Sequence, residues 1–222
     1  MSERFSIGVL GGSGQEGGGL ALRWAAKGHD VMIGSRSAEK ANEAAQKLND
    51  LLAGRGVVRS GSNADAVRQS IVVLAVPFAA QLATAASVRE QLAGKILIDV
   101  TAPLLPPKVS RVQLPAGGSA VVALQQQLGG AVKVVSAFQN VSASHLKDLD
   151  HAVDCDVLVC GDDAAACETV IALARDAGMC GWHAGGLANS AAAEALTSVL
   201  IAINRRYKVA SAGIRITGVP RD

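Results

Sequence analysis

A chain of 222 residues, half of them hydrophobic and 18% charged, has the balance of a folded globular protein, with room for one large domain or one domain and a small second part. Aromatic residues make up only 3%, which leaves the core to Ala, Val, Leu and Ile and excludes a stacking surface for single-stranded nucleic acid. With 21 Lys and Arg against 19 Asp and Glu there is no general field for polyanions, so an anion site must be local.

Continuous apolar runs at 6–10 (SIGVL), 31–34 (VMIG), 71–76 (IVVLAV) and 95–100 (KILIDV) suit strands covered on both faces. Residues 17–27, 38–52 and 81–92 lie between them with apolar side chains at helical spacing. Strand and helix in alternation predict a parallel sheet with right-handed crossovers. At 102–118 the pattern breaks into TAPLLPP and LPAGG, a loop or a domain seam. Shorter strands are expected at 132–135, 156–159 and 179–183, with a helix at 163–177. A long helix at about 189–207 and an extended tail, GIRITGV, close the chain. The expected class is α/β, with a Rossmann-type parallel sheet in residues 1–118 and a smaller α/β part in 119–222 that ends in the long helix.

The chain starts MSERFSIGVL and passes straight into a strand, with no signal-peptide pattern, and no run approaches the roughly 20 apolar residues of a bilayer span. The expectation is a cytoplasmic protein without a membrane partner. Cys155, Cys160, Cys167 and Cys180 form no Cys-x-x-Cys pair, and no His stands at zinc spacing from them, so they read as structural thiols and no metal site is expected.

The spacing Gly12-x-Gly14-x-x-Gly17 follows the first strand and opens the first helix, the context a dinucleotide fingerprint requires. On this reading Gly12 makes the tight turn, Gly14 lets the backbone approach a pyrophosphate, and Gly17 lets the helix pack close to the strand. Gln15 and Glu16 begin a helix whose free N–H groups face the phosphates, beside Ser13. The second strand ends in Ser35-Arg36-Ser37, with Lys40 one turn on, where an NAD site would carry a carboxylate. A guanidinium fork and an ammonium suit a 2′-phosphate and hence NADP(H). Ser35 or Ser37 also suits an N-cap, and the two roles are compatible.

Taken together, VLGGSGQEGGGLALRWAAKGH, IGSRSAEKA, VLAVPF, KVVSAFQNVSA, DVLVCGDD and AGGLANSAAAEAL resemble the NADPH-dependent coenzyme F420 reductase family over nearly the whole chain. The resemblance implies hydride exchange between NADP(H) and the deazaflavin F420, small-molecule cofactor-substrates and a homodimer. NADP contacts map onto Ser13, Ser35, Arg36, Lys40, Val76 and Pro77. The acceptor side maps near Phe138 to Val141 and near Ala212 and Ile214. Where the family often has His-Thr-Ile, this chain has Gln139-Asn140-Val141, which leaves a flavin open as the acceptor. A non-catalytic NADPH-binding sensor is the alternative of another class.

Hydride transfer between two rings needs alignment rather than a catalytic acid, so no catalytic residue is required. Gln139 and Asn140 are candidates to donate hydrogen bonds to the acceptor ring, or strand-end surface residues. Asn189 reads as the N-cap of the last helix with a second role at the acceptor. The basic segment Arg205-Arg206-Tyr207-Lys208, with Arg215, suits a helix C-terminus. Arg205 is its candidate for the anionic tail of F420, and no nucleic-acid motif accompanies it. Among the histidines, His29, His145 and His151 read as structural or solvated, and His183 as nearest the acceptor side.

Overall fold

The computed structural model describes residues 3–220. The elements are β1 (Ser6–Leu10), α1 (Gln15–Ala26), β2 (Asp30–Ser35), α2 (Ala38–Leu52), β3 (Val58–Ser62), α3 (Asn63–Ala66), β4 (Ile71–Leu74), α4 (Phe78–Ala86), β5 (Ile96–Asp99), α5 (Ala120–Leu128), β6 (Lys133–Ser136), β7 (Asp156–Gly161), α6 (Ala164–Asp176), β8 (Cys180–His183) and α7 (Ser190–Tyr207). They form one eight-stranded sheet in the order β3-β2-β1-β4-β5-β6-β7-β8. The first six places of that order, 3-2-1-4-5-6, are the doubly wound arrangement, in which ligands bind at the carboxyl ends where β1 and β4 diverge.

The apolar strand runs divide by alternation between two cores, one on each face of the sheet. Ile7, Val9, Ile71, Val73 and Ile98 face the core that contains Trp24 and Phe138. Leu10, Val72, Leu74 and Leu97 face the one that contains Leu124 and Leu128. A strand with period two and apolar residues on both faces needs cover on both. Helices α1 and α6 supply residues to the first core and α5 to the second. Polar caps fix the helix starts: Ser37 for α2, Ser62 for α3, Ser119 for α5 and Asp163 for α6 each accept a backbone N–H from the first turn.

Several elements differ from the sequence expectation. Strand β3, VRSGS, sits at the sheet edge beside β2, and its polar composition carries no apolar pattern. Helix α5 begins directly after the 102–118 loop, where no helix was expected. The single helix expected at 81–92 is α4, which starts earlier at Phe78, followed by a separate 3₁₀ turn at Arg89–Leu92. Strand β7 runs antiparallel to β6. The connection between them contains only the 3₁₀ turn Ala143–His145, and without a helical crossover the chain re-enters the sheet in the opposite sense. The tail does pair: Asp156 N–H donates to the Ile214 carbonyl, and Ile216 N–H to Asp156 Oδ2.

Candidate functional site

The glycine loop joins β1 to α1 at the divergence of β1 and β4. The tight turn falls on Gly11, at φ +83°, rather than on Gly12. Gly12 is required for packing instead, because a Cβ there would stand 2.5 Å from Ile33 Cγ2. Gly17 holds its expected role: a Cβ would stand 2.8 Å from that of Ala75 and 3.2 Å from Val9 Cγ1. Gly14 is the N-cap of α1 and provides no side-chain cap, so the first-turn N–H groups are left for a ligand.

Two cavities meet at this loop and share Gln15. The first, of about 440 Å³, lies between Gly12, Ser13 and α2, and carries the cations Lys40, Lys47 and Lys147. Lys40 was expected there. Lys47 follows it by seven residues, two helical turns on the same face. Lys147 comes from the β6–β7 connection, and no local pattern announces it. Arg23 places it: this buried guanidinium donates to the carbonyls of His145, Leu146, Asp148, His151 and Ala177, which clamps the connection onto α1. A Cβ on Gly18 would then lie 3.5 Å from Lys147 Cε. Ser35 and Arg36 stand at the end of β2 outside this lining, Ser35 receiving the Ser37 N–H and Arg36 exposed.

The second cavity, of about 590 Å³, opens on the β4 side of the loop, within the size range of small-molecule sites. Glu16, Val76 and Pro77 line one wall, Thr101 the floor, Gln139–Val141 the far side, and Thr197, Leu200 and Asn204 of α7 close it with Ala212. Gln139 and Asn140 are therefore in the cleft, yet buried and turned inward. Gln139 Nε2 donates to the Asp99 carbonyl, and Asn140 Nδ2 to the Ala193 carbonyl. Thr197 Oγ1 donates back to the Gln139 carbonyl. Neither is a strand-end surface residue, and each already spends an amide N–H inside the protein rather than on a ligand.

Four expected acceptor-side residues are elsewhere. The Phe138 ring is buried in the core, edge-on to Trp24 at 5.9 Å. Its backbone adopts φ +72°, a strain of roughly 1–2 kcal/mol offset by burial of the ring, and this turn is what delivers Gln139 to the cleft. Ile214 pairs with β7. Asn189 occupies the N-cap position of α7 but makes no side-chain cap; its Nδ2 donates to the Ala184 carbonyl. Fifteen residues separate it from Asn204, roughly 22 Å along the helix. Arg205 is exposed and donates to Ser110 Oγ, tying α7 to the 102–118 loop. His183 Nδ1 accepts the Gly185 N–H, away from the cleft. His29 Nδ1 accepts the Phe5 N–H while Nε2 meets Asp176.

At the second cavity lies an acidic pair, Glu16 half-buried in its wall and Asp99 behind it. Asp99, at the end of β5, is fully buried, accepts from Thr101 N–H at 2.8 Å and from Gln81 Nε2, and is pushed up to about 6 by burial. Glu16 is pushed up to about 8 by burial and then by the Asp99 charge. Its first-turn place in α1 favours the carboxylate by at most about 1 kcal/mol, which is small beside this burial, so burial wins. The thiols of Cys155, Cys160 and Cys167 are likewise raised by burial, Cys160 to about 11, as suits structural cysteines.

A molecule with two halves joined by a pyrophosphate fits this layout, with one cavity on each side and the uncapped start of α1 between them. A family model described as NADP oxidoreductase coenzyme F420-dependent matches residues 6–103. The chain is 42% identical over 223 residues to an F420-dependent NADP reductase of Methanocaldococcus jannaschii, covering 97% of this chain and 99% of that one. It is also 42% identical over 226 residues to one of Methanothermobacter thermautotrophicus, with 98% and 97% covered. A solved structure from Arthrobacter sp. FB24, provisionally assigned as an F420-dependent NADP reductase, matches with a TM-score of 0.80 at 28% identity, over 96% of this chain and 99% of that one.

Proposed function

The chain belongs to the F420-dependent NADP reductase family, and from that premise we propose how its two cavities divide the work of moving hydride between NADP(H) and coenzyme F420. The protein is an oxidoreductase. The observation that carries the assignment is near-full-length identity to these reductases, joined to a glycine loop at which two cavities meet. The bound cofactors supply the hydride chemistry, and the protein supplies orientation and exclusion of water.

In this reading Gly12, Ser13, Gly14, Gln15 and the N-terminus of α1 hold the pyrophosphate. Lys40, with Arg36 and Ser35 at the mouth and Lys47 and Lys147 opposite, takes the 2′-phosphate. The nicotinamide half lies in the second cavity against Val76 and Pro77. The acceptor ring enters beside Asn140, Val141, Ala212 and α7. Division of the chain at residue 118 then separates the dinucleotide cradle from the acceptor wall, although the sheet runs across it.

The homodimer is supported by the exposed apolar side chains of α7 and the 102–118 loop. Leu105, Val112, Leu114, Val199, Ile203 and Tyr207 are exposed, and the Arg205–Ser110 bond joins the two segments. Residues Leu187–Tyr207 have mean hydropathy 1.3 over a length that would span a bilayer, with 33% of that window buried, more apolar than the sequence reading expected. A partner protomer covers this surface in a cytoplasmic enzyme. The buried Glu194 in the middle of that helix, bonded to α5, argues against lipid.

The test is NADPH oxidation by the purified protein with F420, FMN and FAD in parallel. F420-dependent turnover that is lost with NADH supports the reading. Turnover with FMN or FAD alone replaces the acceptor, and NADPH binding without turnover leaves a sensor. Sedimentation at micromolar concentration tests the dimer.

A further inference from the structure

Around the second cavity stand polar atoms whose hydrogen bonds do not close, with Glu16, Thr101 and Gln139 in its lining and Gln81 buried behind it. Glu16 Oε1, Gln81 Oε1, Thr101 Oγ1 and Gln139 Oε1 are all buried without a partner. Asp99 connects the last three, since it accepts from Gln81 Nε2 and the Thr101 N–H, and its own carbonyl accepts from Gln139 Nε2, while its charge acts on Glu16. Of the four unpaired atoms, three are acceptors when Glu16 is ionised, and only the Thr101 hydroxyl can donate. Buried polar groups in folded proteins are rarely left this way. A single proton on Glu16 turns one surplus acceptor into a donor.

We propose that Glu16 stands in the cleft wall as a neutral carboxylic acid, facing the charge of Asp99, and gives its proton up when an oxidised nicotinamide occupies the cleft. The inference rests on the functional reading above and names a residue that the reading does not use for chemistry. A reduced nicotinamide is uncharged, so a neutral acid beside it is favourable. Hydride leaves with both electrons of its C–H bond and forms a C–H bond on the acceptor ring, so the nicotinamide becomes a cation. The Glu16 O–H then breaks, its carboxylate pairs with the cation, and the proton goes to a ring nitrogen of the hydride-loaded acceptor. Hydride and proton together make up the two hydrogens the acceptor gains, and the net charge of the buried site is the same before and after the step.

The charged groups around Glu16 are few. Asp99 on β5 faces it, and Glu194 on α7 lies behind Asp99. Across the glycine loop, Lys40, Glu43 and Lys47 on α2 and Lys147 on the β6–β7 connection line the other cavity. Burial and the Asp99 charge both hold the proton on Glu16, which titrates near 8.

Calorimetric binding at pH 7 in two buffers of different ionisation heat tests this without an acceptor present. NADP⁺ is expected to release about 0.9 proton more than NADPH per site, the fraction protonated at pH 7 by a group titrating near 8. The 2′-phosphate is common to both ligands and cancels. In Glu16→Gln the difference disappears. NADP⁺ affinity should rise by up to about tenfold per pH unit towards pH 8 in the native protein and stay level in the variant. Equal proton release by the two ligands, or a difference that survives Glu16→Gln, overturns the proposal. A measurement on the native protein alone guards against a variant that misfolds: a protonated-carboxyl infrared band present at pH 7 and lost by pH 9. Its absence at pH 7 also overturns the idea. None of these readouts contains F420, so failure of F420 turnover strikes the functional reading and not this one.

Discussion

Replacing Glu194 provides a sharp test of how the second half of the chain is held to the first. This carboxylate projects from α7 and is almost wholly buried, without an ion-pair partner among the described residues. It accepts from Ser119 Oγ at 2.5 Å, Ala120 N–H at 2.7 Å, Val121 N–H at 3.3 Å and Ser190 Oγ at 2.8 Å. The side chain of α7 thus completes the N-terminus of α5, where the helix dipole favours a negative charge. In Glu194→Ala the two hydroxyls keep other bonds: Ser119 caps Val122, and Ser190 meets Ser136. The Ala120 and Val121 N–H groups do not, and each buried orphan costs about 1–3 kcal/mol. One lost methylene adds roughly 0.8 kcal/mol.

The sum is about 3–7 kcal/mol, a large part of the 5–15 kcal/mol that a domain of this kind has. Glu194→Gln keeps one acceptor and the side-chain volume, and should cost roughly half as much. Urea unfolding followed by circular dichroism, with the slope unchanged between variants, measures both. A loss below about 1 kcal/mol for Glu194→Ala would refute the assignment, because it would mean that α5 starts equally well without α7. Since α7 also supplies Thr197, Leu200 and Asn204 to the cleft, acceptor affinity should fall in step with stability in both variants.

Three further outcomes are expected. Lys40→Ala should weaken NADPH binding about tenfold, the scale of one charge-assisted phosphate contact, and leave NADH within about twofold. Arg36→Ala should do less, since Arg36 stands outside the cavity lining, and fluorescence titration separates the two. Gly17→Ala sets a Cβ 2.8 Å from that of Ala75, so thermal unfolding should report a loss of about 1–3 kcal/mol together with weaker dinucleotide binding. The native protein without ligand should lose stability as pH rises from 4.5 to about 8. Over that window the folded state holds a proton on Glu16 that the unfolded state has released, and the loss reaches at most about 5 kcal/mol at about 1.36 kcal/mol per pH unit. In Glu16→Gln the fall between about pH 6 and 8 should vanish, leaving only the part below about 6 that comes from Asp99, which burial also raises, and the variant should be the more stable of the two above pH 8.

What the sequence makes legible depends on whether the physics is local. The glycine loop, β2 with Ser35 and Arg36, and Lys40 lie within 30 residues of one another, and strand-turn-helix chemistry writes them in order. The apolar runs of β1, β4 and β5 are equally plain, because burial on both faces forbids a polar interruption. Strand β3 escapes because an edge strand satisfies one side of its ladder and tolerates Arg59 and three other polar or glycine positions. The sense of β7 escapes because it depends on an absence, that of a crossover helix between 137 and 155. Phe138 misleads for the opposite reason: an aromatic residue beside Gln139 looks like a ring-stacking surface, and only its positive φ sends it into the core.

The acidic floor of the cleft is the least legible part, and its construction explains why. Glu16, Gln81, Asp99, Thr101 and Gln139 come from α1, α4, the end of β5 and the turn after β6, and none of them stands next to an ionisable residue in sequence that would draw attention. Each is an ordinary polar residue at the end of an element. What they acquire by assembly is burial, and burial is what raises Asp99 to about 6 and Glu16 to about 8. Identity to relatives assigns the hydride. The protonation state of the wall beside it follows from packing, because the same carboxyl on an exposed helix start would be ionised at neutral pH.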